Sequence, residues 1–220
     1  MQIAIDGPAG AGKSTIAKIL SKDINFMYVD TGAMYRTIGL YCLRNNIDLD
    51  DEKAVSELAV KAPIEIKYED GIQKMYLGDE DVSKTIRLEE VGKTASKVSK
   101  VLKVRERLVE LQKELGEKYD VVMDGRDIGT VVLPNAELKI FLTASSDVRA
   151  KRRCDELLEK GEAADFDVIK KDIEERDFQD SHRKNSPLKQ ADDAILLDTS
   201  DMSIDEVVSE IKKLLKERLS

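Results

Sequence analysis

The chain has 220 residues, with 36 basic and 44 acidic side chains and a net charge of −8. That length suits one α/β domain with a full core, the acidic balance argues against a general nucleic-acid binder, and no apolar run of about 18 residues is available for a membrane helix. Cys42 and Cys154 form no CxxC pair and read as reduced thiols, and two cysteines with one histidine argue against a zinc site.

In chain order, Gln2–Asp6 reads as a buried strand. It runs straight into Gly7-Pro8-Ala9-Gly10-Ala11-Gly12-Lys13-Ser14, the spacing G-x-x-x-x-G-K-S. This opening leaves no room for a secretory signal, so a cytoplasmic protein is expected. A helix follows over about Lys13–Asp23, then a strand near Met27–Asp30 that ends in Asp30-Thr31-Gly32. Helices are expected over about Ala33–Arg44 and Glu52–Lys61, the latter with Asp50 or Asp51 as N-cap. Ile64–Tyr68 and Gln73–Leu77 flank Asp70-Gly71, which predicts a β-hairpin inserted into an otherwise alternating chain.

Helical spacing of Val101, Leu102, Val104, Leu108, Leu111 and Leu115 predicts one helix over about Leu88–Glu117. Tyr119–Asp124 reads as a central strand followed by the tight loop Asp124–Thr130, with further strands at Leu138–Leu142 and Ala194–Leu197. Charged helices fill about Asp147–Lys160 and Phe166–Lys184, and Ser203-Ile204-Asp205-Glu206 is a capping box opening the last helix. The expected fold is a doubly wound parallel sheet of five strands, with a hairpin subdomain and a short helical lid. Its core is expected over 1–30, 105–147 and 185–220, its insert over about 31–104 and its lid over about 148–166.

Ligands of such sheets bind at the carboxyl ends of strands. Here those ends carry Gly7–Ser14, Asp30–Gly32 and Asp124–Thr130. In the first loop, backbone N–H groups of Gly7, Pro8–Ala9, Gly10, Ala11, Gly12, Lys13, Ser14 and Thr15 (proline excepted) can cradle a polyphosphate. Lys13 would reach the terminal phosphates and the Ser14 hydroxyl would ligate Mg²⁺. A chance match in a Gly-rich turn is the alternative, and the strand-loop-helix setting weighs against it. Asp30 and Asp127 can equally be caps or turn formers.

The chain carries neither the D-x-x-G nor the N-K-x-D element of a GTPase. Its size and the Arg-rich stretch 149–153 fit a small kinase, which needs cations where charge spreads over the moving phosphoryl group. Arg149 and Arg153 share a helix face, as do Arg176, Asp180 and Arg183 at i, i+4 and i+7. Either stripe could bind phosphate and sugar, or be a solvated surface of salt bridges. His182 is a poor general base here, because a phosphate acceptor is already ionised.

Together these segments resemble the bacterial cytidylate kinase family of nucleoside monophosphate kinases. The resemblance rests on Ile5–Thr15, Asp30–Arg36, Val104-Arg105-Glu106, Asp124–Thr130, Ile140–Ser145 and Glu175-Arg176-Asp177. It implies ATP at the glycine-rich loop and CMP or dCMP as acceptor. It also implies that Thr31, Ser96, Arg105 and Asp127 read the cytosine edge. Tyr35, Arg36, Arg126 and Arg183 would surround the monophosphate, Arg176 and Asp180 would meet the ribose, and Arg149 and Arg153 would belong to the lid. Lys13, Arg126, Arg149 and Arg153 are the catalytic cations on this reading, with Mg²⁺ at Ser14. The roles of Asp124 toward Mg²⁺ and of Arg183 stay open. A monomer acting on small molecules, with no nucleic acid or membrane partner, is expected. The competing readings are a P-loop kinase for another nucleotide or for a metabolite such as shikimate, and a regulatory module that only switches between ATP and ADP.

Overall fold

The computed structural model describes residues 1–219. Strands β1 (Gln2–Asp6), β2 (Met27–Asp30), β6 (Val121–Gly125), β7 (Leu138–Thr143) and β8 (Ile195–Asp198) form one sheet in the order β2-β6-β1-β7-β8. β7 runs parallel to both β1 and β8, with Ile3 opposite Leu138 and Ile140 opposite Ile195. The chain divides into two compact units, Met1–Phe26 with Val122–Ser220, and Met27–Val121.

The first unit is built on apolar strands. Ile3, Ala4 and Ile5 of β1, Val122 and Met123 of β6, and Leu138, Ile140 and Leu142 of β7 are all buried. Continuous apolar runs are what a parallel strand covered on both faces requires. Helix α1 (Lys13–Asp23) buries Ile16, Ala17 and Leu20, and α8 (Ile204–Leu219) buries Val207, Val208, Ile211 and Leu215. These are the i, i+1, i+4 stripes of one-sided helices. The capping box at α8 forms as expected: Ser203 N–H donates to the Glu206 carboxylate at 2.8 Å, and Glu206 N–H donates back to Ser203 Oγ at 3.3 Å. Helices α6 (Ser146–Glu159) and α7 (Phe166–His182) pack on each other.

The second unit packs α2 (Thr31–Arg44), α3 (Glu52–Lys61), α4 (Glu89–Val98) and α5 (Leu102–Lys118) around Met34, Ile38, Val55, Val91, Val104 and Leu108. Asp51 is the N-cap of α3, accepting from Lys53 and Ala54 N–H. Strands β3 (Ile64–Glu69) and β4 (Ile72–Leu77) form the expected antiparallel hairpin, with Asp70 and Gly71 both left-handed at its turn. A two-residue strand β5 (Glu80–Asp81), too short to carry a pattern, adds to its edge. Helices α2 and α4 approach so closely that a Cβ on Gly39 would lie 3.1 Å from the Ala95 nitrogen.

Two expectations change. The helix expected over Leu88–Glu117 is two helices, broken at Ser99–Val101. There Lys100 and Val101 N–H bond three residues back, to Lys97 and Val98, and Val101 turns extended with its side chain buried. Leu102 is thereby turned half out to solvent, so the apolar stripe is not continuous. The strand expected from Tyr119 starts at Val121, and beyond it Ile128–Val132 forms a π turn.

Candidate active site

The glycine-rich loop lies between β1 and α1. Gly7 has φ 146°, and a Cβ there would sit 1.9 Å from the Leu142 carbonyl oxygen, so only glycine lets the loop leave β1 beside β7. Helix α1 begins at Gly12 (φ 87°) with no side-chain cap and no acidic residue in its first turn. Its N-terminal N–H groups and dipole are left for an anion. Lys13 is buried and donates to the Pro8 carbonyl at 2.7 Å. Burial, and then the Arg126 guanidinium, hold its ammonium well below the usual lysine range, against the pull of Asp124 and Asp6. A polyphosphate beside it would reverse that balance. Ser14 Oγ donates to the carboxylate of Asp124 at 2.7 Å, from the buried end of β6.

The loop after β6 carries Arg126 and Asp127. It is fastened to β1 by Asp6, whose two carboxylate oxygens accept the N–H of Ile128 at 2.8 Å and of Gly129 at 2.7 Å. Burial pushes the Asp6 carboxyl up to about 6, the two N–H bonds opposing it. Arg126 Nε donates to Asp180 at 2.9 Å. Arg183 lies 4.0 Å from Asp180 and 3.7 Å from Asp127, and donates from Nε to the Ser186 carbonyl at 2.6 Å. Burial works against ionisation of Asp180, but Arg126, Arg176 and Arg183 outweigh it and lower its pKa. Helix α7 ends at His182, earlier than the Lys184 expected, and Arg183 just beyond it is extended, so Asp180 near the helix end and Arg183 past it form a charge cluster joined to the β6 loop, with Arg176 one turn before Asp180.

Arg149 and Arg153 share a helix face but not a setting. Arg149 is buried, donating from Nε to Ala144 O at 2.9 Å and from Nη1 to Ala9 O in the glycine-rich loop at 2.9 Å. Its Nη2 pairs with Asp177 at 2.6 Å. Arg153 stays partly exposed, paired with Glu156 at 2.9 Å. His182 stacks on Phe178 with centroids 4.0 Å apart, and its Nδ1 is 2.9 Å from the Phe178 carbonyl oxygen, a setting on its own helix.

In the second unit, Thr31 is the buried first residue of α2, with Tyr35 and Arg36 in the next turn. The Arg105 guanidinium lies over the Tyr35 ring at 5.5 Å and donates to the Ser99 carbonyl at 3.2 Å. Ser99 Oγ in turn donates to the carbonyl of Ser96 at 2.9 Å. The predicted residues Tyr35, Arg105 and Ser96 are therefore linked through the break between α4 and α5. Asp30 caps α2 by accepting Ala33 N–H at 2.8 Å and pairs with Arg87 at 2.7 Å. Burial raises its carboxyl, but Arg87 and Arg36 overcome this and lower it.

A family model described as Cytidylate kinase matches residues 3–217. The chain belongs to the cytidylate kinase family. It is 53% identical to the cytidylate kinase of Lactobacillus gasseri over 99% of this chain and 95% of that protein. It is 50% identical to that of Streptococcus pneumoniae (strain 70585) over 100% and 99%. Among solved structures, an uncharacterized protein from Eubacterium ventriosum aligns with a TM-score of 0.56 at 13% identity, covering 98% of each chain. A gluconokinase from Sinorhizobium meliloti aligns at 0.50 and 13%, covering 98% of this chain and 91% of that one. These last two speak for the fold alone.

Membership in a kinase family makes the protein a phosphotransferase, and it directs attention to residues that sequence reasoning passed over. Asp6 lay hidden in a strand end, because its partners are backbone N–H groups 122 and 123 residues away. Gln73 and Arg87 hold Asp30 from the hairpin and the 3-10 turn beyond it, at separations no local pattern reports. Asp177, within the quoted Glu175-Arg176-Asp177 motif, is the half-buried partner of buried Arg149. Among the described residues, no group of three His, Cys, Asp or Glu side chains is arranged to hold a metal ion.

Proposed function

We propose that the protein transfers the γ-phosphoryl group of ATP to CMP or dCMP, giving ADP and CDP or dCDP. The observation that carries this reading is identity of at least half with cytidylate kinases along nearly the whole chain. The site chemistry supports it. An oxygen of the acceptor phosphate attacks the γ-phosphorus while the bond to the β-phosphate oxygen breaks, so the protein's task is to position and to neutralise charge.

Gly7–Thr15 would hold the triphosphate through backbone N–H groups, with Lys13 at its terminal oxygens. Mg²⁺ fits the donors present: Ser14 Oγ and the Asp124 carboxylate are hard oxygen ligands 2.7 Å apart, and this ion keeps much of its shell as water and phosphate oxygen. Ser14, with Asp124 beside it, would hold the ion, which neutralises phosphate charge when bound. Arg126 and Arg183 would take the acceptor phosphate, Arg176 and Asp180 the ribose, and Asp127, Thr31, Ser96 and Arg105 the cytosine edge, with Tyr35 and Arg36 on the monophosphate. Arg149 and Arg153 belong to a proposed lid over 148–166. The network of Arg149 with Ala9 and Asp177 favours a part for it in holding the donor loop. The working unit is taken to be a cytoplasmic monomer with small-molecule partners, neither nucleic acid nor membrane. No described helix is long and apolar enough to cross a bilayer.

The test is a coupled ADP-release assay with CMP, dCMP, UMP, AMP and shikimate. CMP and dCMP should give the highest kcat/KM. Faster turnover of AMP or shikimate would overturn the reading.

A further inference from the structure

Strand β4 alternates its side chains, so Gln73 shares a face with Met75 and Leu77, both buried in the core of the second unit. A polar side chain on that face needs partners, because leaving an amide unsatisfied there costs more than a hydrogen bond returns. Gln73 finds both on one residue. Its Oε1 accepts the N–H of Asp30 at 2.7 Å, and its Nε2 donates to the Asp30 carbonyl at 3.2 Å and lies 3.2 Å from the Met75 sulfur.

Asp30 ends β2, the terminal strand of its sheet. Met27 N–H donates toward Asp120, on the β6 side. Backbone groups alternate in direction along a strand, so those of Tyr28 and Asp30 point the other way, off the free edge. The hairpin meets them with side chains. Tyr68, opposite Gln73 in β3, donates from Oη to the Tyr28 carbonyl at 3.2 Å, and Gln73 takes both groups of Asp30. The amide of Gln73 thus imitates a paired strand at the one residue that also caps α2. The next residue is Thr31.

We propose that Gln73 is a positioning residue for acceptor recognition: by clamping the backbone of Asp30 it fixes the first turn of α2, and with it Thr31, Tyr35 and Arg36, for the cytidine monophosphate. The inference rests on the CMP kinase reading. It gives the inserted hairpin a task in specificity, although no hairpin side chain need touch the nucleotide. Arg87 holds the Asp30 carboxylate and Gln73 its backbone, so the two act on the same residue by different groups.

The variant Gln73→Met keeps the length and volume of the side chain and removes both hydrogen bonds. It should raise the KM for CMP about tenfold, the size expected from losing about one net buried hydrogen bond or slightly more. The KM for ATP and kcat at saturating CMP should stay within about twofold of wild type. Amide hydrogen exchange of Asp30 in the ligand-free protein should speed up by a similar factor. Tyr68→Phe, which removes only the Tyr28 contact, should leave the KM for CMP unchanged. Equal rises in both KM values, or an unchanged KM for CMP in Gln73→Met, would overturn the positioning role. Failure of the wild-type protein to phosphorylate CMP would defeat the kinase reading instead. The exchange measurement still decides the clamp in that case, since an unaltered Asp30 rate would overturn it without any substrate.

Discussion

Asp6 and Asp30 invite comparison, because each ends a parallel strand, each is 4% exposed, and a helix follows each within a few residues. At the first junction the aspartate turns away from the chain that follows and binds the N–H groups of Ile128 and Gly129. Helix α1 starts uncapped at a left-handed glycine. At the second, the aspartate folds onto its own helix, accepts Ala33 N–H, and pairs with Arg87. One helix end is left open to an outside anion and the other is closed by an inside one. The two carboxyls differ accordingly, with that of Asp6 pushed up to about 6 and that of Asp30 held below its usual range. The uncapped start of α1 beside buried Lys13 leaves its N–H groups for an anion, whereas the capped start of α2 offers a ligand its side chains and not its helix end.

The strongest break of the first junction is Gly7→Ala. Its methyl group would have to occupy the place of the Leu142 carbonyl oxygen, so a loss of about 4 kcal/mol or more is expected, read as loss of a cooperative urea transition. Next comes Lys13→Met. Turnover should fall by about a thousandfold, the scale on which fixed donors stabilise developing charge, and the melting temperature should stay equal or rise as a desolvated amine is removed. A lower melting temperature with near-normal turnover would assign Lys13 to structure instead. At the second junction, Asp30→Ala should cost about 1–2 kcal/mol through the lost cap and the released Arg87, measured by chemical denaturation.

The smallest effect is in pH. The folded pKa of Asp6 lies above its unfolded value, so the folded state binds the extra proton between about pH 4 and 6, and the contribution of Asp6 to stability declines as pH rises through that window. The stability of Asp6→Asn relative to wild type should therefore improve from about pH 5 to pH 7. For Asp30 the sign is reversed. Its contribution is present above the ordinary carboxylate range and is lost as pH falls below it, so the deficit of Asp30→Ala should shrink in acid.

Much of this was legible in the chain itself. The loop Gly7–Ser14, the Asp70-Gly71 hairpin, the Asp51 cap and the Ser203–Glu206 box are local patterns, and local physics makes them. The family resemblance carried by Asp30–Arg36 and Asp124–Thr130 is borne out by the match across residues 3–217. What escaped has distant causes. The π turn at Ile128–Val132 follows Asp6, whose carboxylate binds its first two N–H groups. The helix break at Ser99–Val101 contains no glycine or proline, and only the exposure of Leu102 betrays it. Spacing put Arg149 and Arg153 on one stripe, but burial of the first depends on Ala9 and Asp177, which no periodicity can report.

The sheet order has a consequence for biosynthesis. Strand β1 is made before every other strand of its sheet, yet both of its neighbours, β6 and β7, are made only after Met27–Asp120 has been synthesised. The second unit, Met27–Val121, is continuous and has its own apolar core, so it can collapse while the nascent chain is still growing. The glycine-rich loop takes shape only when Leu142 supplies the carbonyl against which Gly7 packs. During translation, nucleotide binding should therefore appear only after β7 has been made, long after the strand and loop that begin the site.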